Sequence, residues 1–219
     1  MKLKFVINEG YDIATSRNIA SLRKFSEEDL QDIKSLYEQC PKFLKLTKKQ
    51  YQTYWDKIND KFFKFVEKIT GHKWKYKDYE CVISMVNKGS TNWGTSNVIS
   101  VWWKDNPYVM RGVVAGELII SHYFEIIKKR YANENLTDVQ IWALAEVAAL
   151  HITTLEKELI KFWPWNSKLV GSHFHNSSYP QLNELRSNLK PIFLKRKNFD
   201  EYIKEGIKLV KKYSDTKLW

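Results

Sequence analysis

Two glutamates occupy the most apolar surroundings that the chain offers. Glu117 lies within Val113-Val114-Ala115-Gly116-Glu117-Leu118-Ile119-Ile120, and Glu146 within Ile141-Trp142-Ala143-Leu144-Ala145-Glu146-Val147-Ala148-Ala149-Leu150. Both segments read as helices too apolar to be solvated on every side. A carboxylate in such a helix is costly to bury unless it is paired, protonated or bound to a metal. On the first helix Val113, Glu117, Ile120, Phe124 and Ile127 share one stripe at steps of three and four, which puts Glu117 inside the core-facing stripe. The competing role for each glutamate is structural: reaching a rim, capping a neighbouring helix, or pairing with a cation such as Arg111 or a lysine.

The five histidines are His72, His122, His151, His173 and His175. His122 follows Glu117 by five positions and His151 follows Glu146 by five. Five residues carry a helix about 140° past a full turn, so neither pair chelates from one face. Glu-x-x-His, the spacing of di-iron bundles, does not occur. His173-Phe174-His175 is an alternating pair that puts two imidazoles on one side of an extended loop. Together with Glu146 and His122 or His151 it defines a possible relocated metal site. The chain has no Gly-rich phosphate loop, no nucleophile elbow and no Cys-x-x-Cys. Cys40 and Cys81 form neither a metal cluster nor a disulfide framework.

The elements that must position these residues follow from local signals. Lys2 to Ile7 alternates as a short strand. Ser26 is an N-cap followed by acids, opening a helix to about Gln39 that Pro41 stops. A longer helix runs from about Thr47 to Ile69, with Gly71 as its C-terminal cap. Tyr79 to Val86 and Asn97 to Trp103 are strands, separated by a loop over Lys88 to Ser96. The Glu117 helix spans about Tyr108 to Tyr131. The Glu146 helix opens on a Thr137–Gln140 capping box and continues to about Lys161. After an ordered loop over Ser167 to Pro180, helices near Gln181–Leu189 and Phe199–Tyr213 finish the chain. The expected fold is α+β and helix-dominated, one domain over 1–219, with a small sheet packed on the pair of apolar helices. Its parts are an N-terminal strand and helices (1–78), the strand and helix-pair core (79–161), and a loop with C-terminal helices (162–219).

The chain has 219 residues, 43% of them hydrophobic, enough for one sizeable core. No apolar run is long enough for a membrane span and the first residues make no secretory signal, so a cytoplasmic protein without a membrane partner is expected. The net charge of +11 comes from scattered lysines, with short clusters at Lys128-Lys129-Arg130, Lys195-Arg196-Lys197 and Lys211-Lys212. Arginine is scarce, and diffuse charge is a weaker sign of nucleic acid than a basic stripe. A basic module for nucleic acid or an acidic partner is therefore the minor alternative.

The order strand, turn-rich loop, strand, breaker, apolar helix, capped helix with a central Glu resembles the gluzincin arrangement of zincin metallopeptidases over about Tyr79 to Lys161. In that family a helix carries His-Glu-x-x-His, the histidines bind zinc, the Glu is the general base, and a Glu on the next helix is the third protein ligand. The resemblance puts Glu117 at the general base and Glu146 at the third ligand. It puts Gly116 and Ile120 where the zinc histidines would stand, and makes Asn97–Trp103 the strand lining the cleft. Gly116 and Ile120 cannot bind zinc. The resemblance therefore implies a catalytically degenerate protein with no metal cofactor and Glu117 as a vestigial base. The former cleft, lined by Ile99, Val101, Trp102, Gly116 and Ile120, would take a peptide or protein partner by strand addition. The enzymatic alternative is a zinc-dependent hydrolase using the relocated ligands.

Overall fold

The computed structural model describes residues 1–18, 26–163 and 179–219. It is α+β and helix-dominated, with one four-stranded mixed sheet. Strand β1 (Lys2–Val6) turns Leu3 and Phe5 inward and Lys2 and Lys4 outward, the alternation of a half-buried strand. It pairs in parallel with β2 (Asp78–Ser84), and β2 in parallel with β4 (Val98–Trp102). The three-residue β3 (Gly89–Thr91) then adds to β4 antiparallel, giving the order β1-β2-β4-β3. The expected 88–96 loop thus contains an edge strand. Its Gly-Ser-Thr sequence has no apolar alternation, and its partner β4 supplies the order that propensity does not.

Among the described residues four helices precede β2. Helix α1 (Glu9–Asn18) is tied to the end of β2 by Asp12, which is fully buried and accepts hydrogen bonds from Tyr37 Oη (2.8 Å) and the Met85 amide (2.7 Å). Helix α2 (Glu27–Gln39) opens on a Ser26–Asp29 capping box. Pro41 does more than end it: the chain turns at Cys40 and Pro41 becomes the first residue of α3 (Pro41–Asp56). The expected 47–69 helix is two helices, because α4 (Asn59–Thr70) restarts after Lys57-Ile58. Asn59 ties the start of α4 to β1: its Oδ1 accepts from Trp55 Nε1 and from the Leu3 amide, and its Nδ2 donates to the Met1 carbonyl. Gly71 closes α4 in the left-handed region at φ 72°, as expected of a C-cap.

Helices α5 (Pro107–Arg130) and α6 (Asp138–Leu155) carry the two glutamates. Asn106 caps α5 by accepting from the Tyr108 and Val109 amides, with Pro107 at the first position; Thr137 and Gln140 form the expected capping box of α6. The second helix ends at Leu155, short of Lys161. Glu156 is extended (φ −81°, ψ 107°) and pairs with Arg196, and a short α7 (Lys157–Ile160) follows. The chain closes with α8 (Asn183–Lys195), α9 (Phe199–Val210) and α10 (Asp215–Leu218).

Leu3, Phe5, Tyr79, Cys81, Ile83, Ile99 and Val101 line one sheet face and are all buried. Helix α3 covers that face at β1 and β2, α4 at β1, and α5 at β3 and β4. Of the apolar pair only α5 lies on the sheet. Helix α6 packs on the far side of α5, against α8, α9 and α10, which corrects the expectation that both helices back the strands.

Candidate functional site

The α5–sheet contact sets the position of Glu117. Gly89 of β3 faces it across the layer: a Cβ built on Gly89 would stand 2.7 Å from Glu117 Oε1 and 2.9 Å from Val113 Cγ1. Real Cβ contacts essentially never come this close, so the bare glycine is the notch in which the carboxylate sits. Beyond Gly116, one residue before Glu117, a Cβ would meet nothing within 4 Å. Ile120 is 3% exposed and is part of the core.

Glu146 lies on the adjacent helix, and the two carboxylates feel each other. Burial pushes the Glu117 carboxyl well above its ordinary range, and the charge of Glu146 pushes it further. Burial also raises Glu146, to about 7. Arg186 of α8 and a hydrogen bond from Trp142, one turn earlier on α6, limit that rise. Arg186 is itself only 8% exposed. Its NH1 donates to Asn183 Oδ1 at 3.2 Å, and its Nε has no hydrogen-bond partner. Burial lowers its proton affinity, which Glu146 and Tyr179 partly restore. The Tyr179 phenol is pushed up by burial and then by Glu146 and Glu117. Its ring meets Trp142 edge-on at 4.9 Å. The site is therefore a four-residue polar group, Glu117, Glu146, Arg186 and Tyr179, set among apolar helices. It can hold a proton near neutral pH, and it sets a permanent cation near Glu146 and Tyr179.

Further side chains form its margin. Cys81, fully buried on β2, has its thiol pushed up by burial first and the Glu117 charge second. Trp219 meets both Trp142 (4.8 Å) and Trp93 (6.4 Å), and Trp93 stacks on Phe124 of α5 (5.4 Å). Eight residues beyond Glu117 on α5, Glu125 is another half-buried carboxylate, raised to about 7 by burial against the opposing pull of Lys75.

Sequence reasoning placed the two glutamates together and missed their partner. The cation is Arg186 rather than Arg111, whose guanidinium donates to the carbonyls of Tyr54 and Phe162. Arg186 did carry a signal of the same kind as the glutamates: it interrupts the buried stripe Leu182, Leu185, Leu189 and Phe193. Tyr179 carried none. The histidines go elsewhere. His122 is 1% exposed, stacks on Trp74 at 4.3 Å and shares a long 3.4 Å contact with Thr70 Oγ1; burial drives it down to about 3. His151 is buried, bonds Tyr202 Oη at 3.1 Å and is driven down to about 4 by burial. His173 and His175 lie outside the described residues. Among the described residues no three His, Cys, Asp or Glu side chains converge for a metal. Gly116 and Ile120 offer zinc no donor atom at the two motif positions.

The cleft assignment needs correction. Strand β4 is interior, bonded to β2 on one side and β3 on the other, and Ile99 and Val101 are fully buried against the helices. Trp102, at the strand's end, is half-buried, with Lys88 and Lys104 over its ring at 5.8 Å each. The two sheet edges are β1 and β3, and they are treated differently. The Phe5 amide donates to Gln52 Oε1 and the Leu3 amide to Asn59 Oδ1, while Gln52 Nε2 donates back to the Leu3 carbonyl. These amide side chains of α3 and α4 act as a substitute strand on β1. A groove of about 540 Å³ over Gln52, Asn59, Asp56, Asp78 and Glu80 marks this braced edge, away from the glutamates. Among the described residues the β3 backbone has no hydrogen bonds beyond its ladder to β4.

No helix among the described residues is long and apolar enough to cross a membrane. No family model, no curated protein and no solved structure matches this chain.

Proposed function

We propose that this chain is a metal-free, zincin-like protein that binds an extended peptide along the outer edge of β3, above the Glu117–Glu146 pair. One observation carries the reading: β1 is braced by Gln52 and Asn59, whereas among the described residues the β3 backbone bonds only to β4, with Gly89 directly over the Glu117 carboxylate. Open edges are templates for strand addition, and proteins normally cover or blunt them. The resemblance accounts for the rest. A cleft strand passes over a helix whose glutamate stands at the general-base register, and the next helix offers a glutamate at the third-ligand register. Without a metal the same carboxylates serve the bound peptide as hydrogen-bonding groups. The charge of Arg186 favours the ionised form of Glu146, and Glu117 in its protonated form donates to a peptide carbonyl. The chain performs no hydrolysis in this reading, because nothing at positions 116 and 120 holds a water-activating ion.

Screening an extended-peptide library and then N-methylating alternate backbone nitrogens of the hits tests this. Binding should fall by at least tenfold in one methylation register and little in the other, because only alternate amides of an added strand face the edge. Protection from hydrogen exchange should appear at Gly89–Thr91. Binding indifferent to N-methylation, or protection at β1 instead, would overturn the reading.

A further inference from the structure

The N-terminal half of α3 carries an unpartnered surface of unusual composition. Leu44, Tyr51 and Trp55 form its buried stripe. At 100° per residue the opposite face is Lys42, Leu46 and Lys49, with Phe43 and Lys45 on its flanks. Leu46 is 53% exposed and Phe43 64%, and Leu46 stands in the middle of the solvent face between two lysines. From Pro41 to Trp55 the helix has four lysines and no carboxylate; Asp56 is its first acid. Among the described residues none of Lys42, Lys45, Lys48 and Lys49 has an ion-pair partner, whereas Lys73, Lys128, Lys161, Lys208, Lys211 and Lys217 all do.

We propose that residues 41–50 form a docking face for an anionic lipid surface. Charge complementarity selects the occupant: a run of unpaired lysines without acids is attracted to a negatively charged bilayer surface. The apolar side chains choose among anionic partners. Lysine stems extend along apolar surface and keep their ammonium groups at the phosphate level, while Phe43 and Leu46 enter the boundary between headgroups and acyl chains. A nucleic acid would draw on arginine forks and stacked aromatics and has no use for a leucine projecting between lysines. A helix lying in the interface plane does not need the length or apolarity of a span. The distribution was hidden in the linear sequence, where these lysines look as scattered as the others; the helical projection gathers them.

Co-sedimentation of the whole chain with vesicles of phosphatidylcholine alone, or mixed with phosphatidylglycerol, tests the proposal. The protein should bind the mixed vesicles, only weakly the neutral ones, and less as salt rises. K42Q/K49Q should lower the partition coefficient about 30-fold, the combined effect of two lysines at an anionic surface. F43S/L46S should lower it at least about tenfold through lost apolar insertion. All four positions are exposed, so circular dichroism should show unchanged folding. Equal partition onto neutral vesicles, or binding unaffected by either pair, would overturn the proposal. So would an absence of vesicle binding alongside retention on a polyanion that survives F43S/L46S, an outcome assigning the lysines to nucleic acid or an acidic protein.

Discussion

Replacing Glu146 by glutamine should make the protein clearly more stable at pH 8 and only slightly more stable at pH 5. In the unfolded chain this carboxyl ionises near its ordinary value of 4.5, whereas in the folded protein burial raises it to about 7 despite Arg186. The folded state therefore holds the proton more tightly than the unfolded one. Its advantage is complete below about pH 4.5 and is lost as pH climbs through 7. Each tenfold difference in proton affinity is worth 1.36 kcal/mol, so the loss amounts to about 3 kcal/mol at pH 8. Glutamine copies the protonated acid and never ionises, so E146Q should recover most of that about 3 kcal/mol. The assay is urea unfolding of wild type and E146Q at both pH values, followed by tryptophan fluorescence. E117Q should shift stability in the same direction, since Glu117 is raised by burial and by Glu146. If E146Q were no more stable than wild type at pH 8, or if its effect were independent of pH, the carboxylates would not be buried beside each other as described.

Gly89→Ala should cost about 1–3 kcal/mol of stability, because the new methyl group meets Glu117 Oε1 and Val113 Cγ1. Denaturation of the triple change G89A/V113A/E117A, which opens that space, should show no further penalty from the alanine at 89. Arg186→Met should raise Glu146 above about 7, since the guanidinium is the main force lowering it; carbon NMR of labelled glutamate side chains reads this directly. His122→Phe keeps the stack on Trp74 and removes a group held neutral to about pH 3. Wild type should lose stability as pH falls below 6.5, when the unfolded His122 takes a proton that the folded one refuses; H122F should show a shallower acid limb in the same unfolding series.

The legible parts of this fold share one property: the signal and its cause lie within a few residues of each other. The Ser26 N-cap, the Thr137–Gln140 capping box and the Gly71 stop are local, and the structure has each of them. The glutamates were legible for a related reason, since a charge within an apolar stripe conflicts with its own helix. What was not legible depends on partners distant in sequence. Next to the helix break at Ile58, Asn59 reaches back to Leu3 and Met1. Whether β4 is an edge or an interior strand is a property of the sheet, and the short β3 that covers it has no pattern of its own. Arg186 meets Glu146 only because α8 packs on α6, which no spacing rule connects.

The proposed reading takes Glu117 and Glu146 as the general-base and third-ligand positions of a zincin-like arrangement with Gly116 and Ile120 where its histidines would stand. It is tested most directly by supplying them. Gly116 opens onto free space and Ile120 lies one turn further along the same helix, so G116H/I120H should place two imidazoles beside Glu146. Metal analysis after dialysis should find no zinc held by wild type, one zinc per chain in the double variant, and loss of that zinc when E146Q is added. Zinc held by the wild-type side chains, no zinc in a folded G116H/I120H protein, or zinc that persists without Glu146 would contradict the account.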